Sequence, residues 1–219
     1  MGLFDIFSKT PAVPKEESPN LIYELLFCDN LDLYKKSIQK PYLYPWNILF
    51  SETKTASDLT ELVADESLES RFKMLAYNEL TKFGQRIDKQ EILGVIVEVG
   101  LENGLDVLAS FRDGTARYIN QTGKILIWEM TDAQSNALTD RIFTKSIEVV
   151  NRIGAWDKPR RPKPATGSVR LTFLVSDGFY FGEGTIDSFF NDPLASPVLS
   201  EAGKLMVYLT EKVIGKTGV

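Results

Sequence analysis

The chain predicts an α+β fold: an antiparallel four-strand meander plus a hairpin, packed by helices and preceded by a mainly helical N-terminal region. Three observations carry that expectation. Between residues 92 and 129, short apolar runs alternate with turn chemistry at Asn103-Gly104, Asp113-Gly114 and Thr122-Gly123. A second Asp-Gly pair, Asp177-Gly178, joins two further apolar runs. Apolar residues recur at helical spacing before the meander and twice after it.

Residues 1–19 read as a short amphipathic tag and a linker. Leu3, Phe4, Ile6 and Phe7 are apolar, and Pro11, Pro14 and Pro19 then prevent a regular element. Such a cluster suits a docking or fraying segment, with a membrane or partner anchor as its alternative. Residues 20–91 read mainly as helix. Ser18 followed by Pro19 fits an N-cap and first helical position, and Leu21, Leu25 and Cys28 continue the spacing. Asn30 caps a second short helix through Tyr34. Two prolines, Pro41 and Pro45, then force extended or turn backbone. Asp58 starts a helix through Val63. Asp65, Glu66 and Glu69 supply an acidic first turn for a longer one, ended by Gly84.

The meander follows. Its strands are read at Ile92–Val99, Leu105–Phe111, Thr115–Asn120 and Lys124–Glu129. Thr131 or Asp132 opens a helix to about Arg152. A proline-rich basic loop runs from Trp156 to Gly167. A fifth strand at Ser168–Ser176 turns through Asp177-Gly178 into Phe179–Phe181, and a last helix begins near Pro197. Residues 92–219 thus form an antiparallel α+β unit with helices on one sheet face. Whether 20–219 is one compact domain stays open at this level.

Composition narrows the chemistry. The 219 residues hold no histidine and one cysteine, Cys28. That removes the commonest general base and metal ligand, and every Ser-His or Cys-His pair. Cys28, on an apolar helical face, reads as a buried structural residue. One cysteine makes no internal disulfide, and no run approaches the ~20 apolar residues of a membrane span, so a cytoplasmic location is expected. The net charge is −5, with −4 of it in residues 1–91. Such a chain presents no broad positive field for nucleic acid or an anionic membrane.

Motifs are few. Gly215-Lys216-Thr217 lacks the upstream glycine of a phosphate loop, and Gly182-Glu183-Gly184 does not extend to a dinucleotide pattern. Glu52-Thr53-Lys54 matches only a fragment of a nuclease motif. Two acidic groups, Glu98/Glu102/Asp106 and Glu183/Asp187, have no diagnostic metal spacing. No metal site and no cofactor are therefore expected.

Three clusters remain as binding candidates. The loop Trp156-Asp157-Lys158-Pro159-Arg160-Arg161-Pro162-Lys163-Pro164 concentrates four positive charges, with Trp156, Arg160 and Arg161 its recognition residues. Its plainer reading is a connector whose arginines pair with acidic surface. The aromatics Tyr42, Tyr44, Trp46 and Phe50 are expected to be buried. Strand alternation sets Arg117, Trp128, Arg170 and Tyr180 on a sheet face left open by the helices, where they would take an anionic ligand or protein segment. The function expected is a non-catalytic binding or interaction protein, such as an inhibitor or immunity-type protein, whose partner is another protein. The alternatives are a histidine-free enzyme using carboxylates, with or without Mg²⁺, and an assembly subunit docked by its Pro-basic loop or N-terminal tag.

Overall fold

The computed structural model describes residues 19–217. The N-terminal tag and its linker lie, up to residue 18, outside the described residues. Pro19 opens α1 (Pro19–Leu25), its fixed φ suiting a first turn. The helical run read through Cys28 ends three residues early. Cys28 takes φ +54°, a left-handed conformation that L residues rarely adopt. It is fully buried, as expected, and burial pushes its thiol up to about 11. Tyr34 donates its hydroxyl to Leu25 O at 2.5 Å, satisfying a carbonyl at the helix end.

The next helices follow their caps. Asn30 accepts from Asp32 N at 3.1 Å and starts α2 (Leu31–Ser37). Trp46–Leu49 form the single turn α3. Thr55, rather than Asp58, caps α4 (Ala56–Ala64), and Asp58 is the reciprocal partner in a capping box. In α5 (Ser70–Lys82) the acidic turn read at 65–69 lies before the helix. Gly84 follows at φ +73°. Asn78 Nδ2 donates to Cys28 O at 2.7 Å and ties α5 to the turn after α1. The aromatic segment divides: Trp46 stacks on Phe50 at 4.8 Å in the core, while Tyr42 is half-buried and Tyr44 exposed.

The sheet has six strands: β1 (Ile92–Leu101), β2 (Gly104–Phe111), β3 (Ala116–Ile119), β4 (Ile125–Trp128), β5 (Ser168–Val175) and β6 (Gly178–Thr185). Their order is β4-β3-β2-β1-β5-β6, and every neighbouring pair is antiparallel. The meander is continuous, and the β5–β6 hairpin adds to its β1 edge. Between them runs α6 (Ala133–Val150), capped by Asp132 through Gln134 N and Ser135 N. After β6 come α7 (Ile186–Asn191), which has no turn signal before it, and α8 (Ala195–Thr217). Asp192 Oδ1, accepting from Leu194 N and Ala195 N at 2.8 Å each, starts α8 two residues earlier than its sequence reading.

Helices cover both faces of this sheet, which corrects the one-sided packing read from the sequence. Ile96, Val107, Ala109, Phe111 and Leu174 pack against α1 to α5. Val95, Leu108, Leu171 and Phe173 pack against α6 and α8. Each large buried side chain contributes roughly 1.5–3 kcal/mol. No described helix is long and apolar enough to cross a membrane.

Candidate functional site

Two-sided packing closes the open face on which Arg117, Trp128, Arg170 and Tyr180 were expected together. All four are buried, at 7% exposure or less. Register shows why they cannot meet. Arg117 stands opposite Ala109 and Arg170 opposite Glu98, on the face toward the N-terminal helices. Trp128 pairs with Ala116 and Tyr180 with Phe173, on the other face and at opposite edges of the sheet. Each is engaged locally. Arg117 donates to Ala116 O at 2.9 Å and Glu129 Oε1 at 2.8 Å, and burial lowers its pKa to about 10. Trp128 packs edge-on against Tyr208, and Gln90 Nε2 donates to the Tyr180 hydroxyl at 2.6 Å.

The Pro-basic loop gathers the other three candidates around Arg170. Trp156 N donates to Phe179 O at 2.7 Å, and its ring meets Phe181 edge-on at 4.8 Å. Arg160 crosses to α1, where it pairs with Glu24 and with Asp29 Oδ2 (2.9 Å) and lies 3.9 Å over the Phe27 ring. Arg161 reaches Glu183 at 3.7 Å. Arg170 Nη2 donates to Glu183 Oε2 at 2.8 Å and Pro162 O at 2.6 Å. Its Nη1 stands 3.7 Å from Glu98 Oε2. Tyr23 donates to Glu98 Oε1 at 2.7 Å. Burial raises the Glu98 pKa, partly offset by Tyr23 and Arg170. The loop is thus a strap from β6 to α1: Arg160 holds Glu24 and, just past α1, Asp29, Lys163 holds Asn20, and Arg161 reaches Glu183. The slot bounded by Trp156, Arg160, Arg161, Arg170, Thr172, Phe179 and Phe181 has about 10 Å³, scarcely room for one water. Four candidates therefore converge, but on a closed contact.

The acidic groups disperse. Glu98 faces the N-terminal helices while Asp106, paired across from Val99, is on the opposite face; Glu183 is held by Arg170. Among the described residues no group of three His, Cys, Asp or Glu side chains is set to hold a metal ion. Glu52 and Lys54 do line a polar cleft of about 340 Å³ between α2 and α5. There the buried Glu79 binds Lys54 at 3.1 Å and Lys82 at 2.7 Å, which takes up two of the three lysines lining the cleft; the third is Lys35.

A different site is open. At the sheet end bearing the β1–β2 turn, α7 and α8 overhang the strands and leave an apolar cleft of about 230 Å³. Val97, Val99, Leu108 and Val169 form its floor. Leu199, Ala202, Gly203 and Met206 of α8, with Phe190 of α7, form its walls; Tyr118 and Asp106 stand at its rim. Phe190 is 56% exposed. Two glycines shape this corner. A Cβ on Gly184 would fall 2.7 Å from the Phe189 ring, so the Gly-Glu-Gly run seats α7 on β6 and is not a phosphate loop. Gly203, in the middle of α8, has nothing within 4 Å of where a Cβ would stand. A mid-helix glycine costs about 1 kcal/mol relative to alanine, and here no steric demand offsets it. Sequence reasoning missed this cleft because the β1–β2 part of its floor and its walls on α7 and α8 come from residues about a hundred positions apart. Gly203, inside an otherwise helical apolar pattern, was its one local signal.

Compared with known protein families, the chain matches no family model, and comparison with curated proteins finds no match.

Proposed function

We propose that this protein is a non-catalytic binding module and that the cleft under α8 is its binding site. The observation that carries the reading is the cleft itself: open, apolar-lined, and larger than the ~150 Å³ engineered cavities that take up benzene. Apolar concavities with a few polar groups at the rim are where proteins hold ligands. Internal pairing of the strap supports the same choice. Arg160 and Arg170, two of the arginines expected to recognise a partner, are held internally by Glu24, Asp29 and Glu183.

The test uses N-phenyl-1-naphthylamine, an uncharged probe that fluoresces in apolar surroundings. The full chain is expected to give a saturable rise in emission. Gly203→Leu, which adds a side chain at a residue lining the cleft where a Cβ meets nothing within 4 Å, is expected to abolish that rise with the fold retained by circular dichroism. A probe that fails to bind the full chain, or binds Gly203→Leu equally, overturns the reading.

A further inference from the structure

The cleft carries one formal charge. Asp106 is the one carboxylate among its lining residues, and no lysine or arginine lines the cleft with it. Asp106 is half-buried, and its Oδ1 accepts from Gln121 N at 2.6 Å. Among the described residues, no lysine or arginine nitrogen comes within 4.0 Å of it. Glu79 and Glu98, the two buried carboxylates, each have a cation beside them. Asp106 has none, a state it shares with the half-buried Asp58, Asp65, Asp132 and Asp177, but it is the one carboxylate that lines the apolar cleft. Next to Asp106 stands Tyr118, whose phenol is pushed up to about 12 by burial and then by the Asp106 charge, so it stays neutral and offers only its hydroxyl.

We propose that the cleft takes a cationic amphiphile: a small hydrocarbon or aromatic body in the apolar floor, with a protonated amine against Asp106. The proposal rests on the binding reading above and adds the chemical class. A carboxylate on an apolar rim repels an anionic head group, and loses hydration to a neutral one without gaining a countercharge. A protonated amine supplies that countercharge and a charge-assisted hydrogen bond. The body sits where Val97, Val99, Leu108 and Met206 converge.

Calorimetric titration of the full chain with octylamine, 1-octanol and octanoate near neutral pH tests this. Octylamine is expected to bind ~10-fold tighter than 1-octanol, and octanoate more weakly than either. Asp106→Asn keeps an oxygen for Gln121 N and removes the charge. It is expected to erase the advantage of octylamine over 1-octanol. Asp106→Glu keeps the charge and is expected to retain a preference for the amine, which guards against a folding defect in the first variant. If 1-octanol binds but octylamine binds no tighter, or if the advantage survives Asp106→Asn, the amine class is wrong and the cleft reading stands. If neither the octyl compounds nor the naphthylamine probe binds, both fall.

Discussion

Glu98 and Arg170 are direct cross-strand neighbours on β1 and β5, both almost wholly buried, with Glu98 Oε2 and Arg170 Nη1 3.7 Å apart. The pair joins the sheet to α1 through Tyr23 and to β6 through Glu183. The two partners are unequal. Arg170 neutralises two carboxylates, whereas Glu98 has one oxygen without a hydrogen-bond partner. Removing the arginine strands buried negative charge, so Arg170→Met is expected to cost about 3–5 kcal/mol. Glu98→Gln retains an acceptor for Tyr23 and removes a buried charge, so it is expected to stay within about 1–2 kcal/mol of wild type. Urea unfolding of the two variants checks the asymmetry. Equal losses would show that Glu98 matters as a charge.

The same carboxyl sets a pH dependence. Burial raises its folded pKa above the ordinary value of 4.5. Below the unfolded value, both folded and unfolded chains carry the proton, and the contribution of Glu98 is fully present. It is lost as pH rises through the folded pKa. Wild type is therefore expected to lose stability relative to Glu98→Gln as pH rises above the ordinary carboxylate range and through the raised folded pKa. Taking the difference removes Asp58, Asp65 and Asp132, whose pKa values are lowered by their cap and turn hydrogen bonds and which act in the opposite sense. The facing groups Tyr23, Arg160, Arg170 and Glu183 are common to both proteins. A difference that stays flat, or grows in favour of wild type, would remove the raised carboxyl from the account.

The strap makes its own prediction. Arg160 contacts Glu24, Asp29 and the Phe27 ring, while Arg161 is half exposed, makes one long ion contact to Glu183 and lies over the edge of the Trp156–Phe181 pair at 5.6 and 5.7 Å. Arg160→Ala is expected to cost about 1–2 kcal/mol, and Arg161→Ala less than about 0.5 kcal/mol. Limited proteolysis offers a second readout. Cleavage within residues 156–164 is expected to accelerate in Arg160→Ala alone, because that arginine ties the loop to α1. Equal acceleration in both variants would show that the loop is held by its backbone.

Local chemistry made most elements legible. Asp113-Gly114 and Asp177-Gly178 marked the hairpins, Asn30 and Asp132 marked helix starts, and alternation marked which residues share a face within one strand. What alternation cannot fix is register between strands. Arg117 and Trp128 were grouped together, yet Trp128 pairs with Ala116, which turns it to the opposite face. Covering of both faces was equally hidden. Arg117 and Arg170 have the composition of a solvent face, but are buried through Glu129, Glu98 and Glu183, partners defined only by the fold. The helix α7 escaped notice because Thr185 is both the last residue of β6 and the cap of α7, accepting from Ser188 N at 3.2 Å, with no separating turn.

Gly203 separates the cost of the cleft from its use. Alanine there adds a Cβ that meets nothing within 4 Å and removes the excess backbone freedom of a mid-helix glycine. Gly203→Ala is therefore expected to stabilise the protein by about 1 kcal/mol, a rise of roughly 2–4 °C in Tm for a chain of this size. One methyl group is small against a cleft of about 230 Å³, so naphthylamine binding is expected to persist. Gly203→Leu is expected to be no less stable than wild type and to lose the probe. Calorimetric melting and probe titration on the same three proteins distinguish the cases. If both substitutions destabilise, α8 needs glycine at 203 for its own geometry, and the openness of the cleft is a by-product of that need. If both stabilise and only leucine blocks binding, the cleft is space that α8 leaves open at the expense of helix stability.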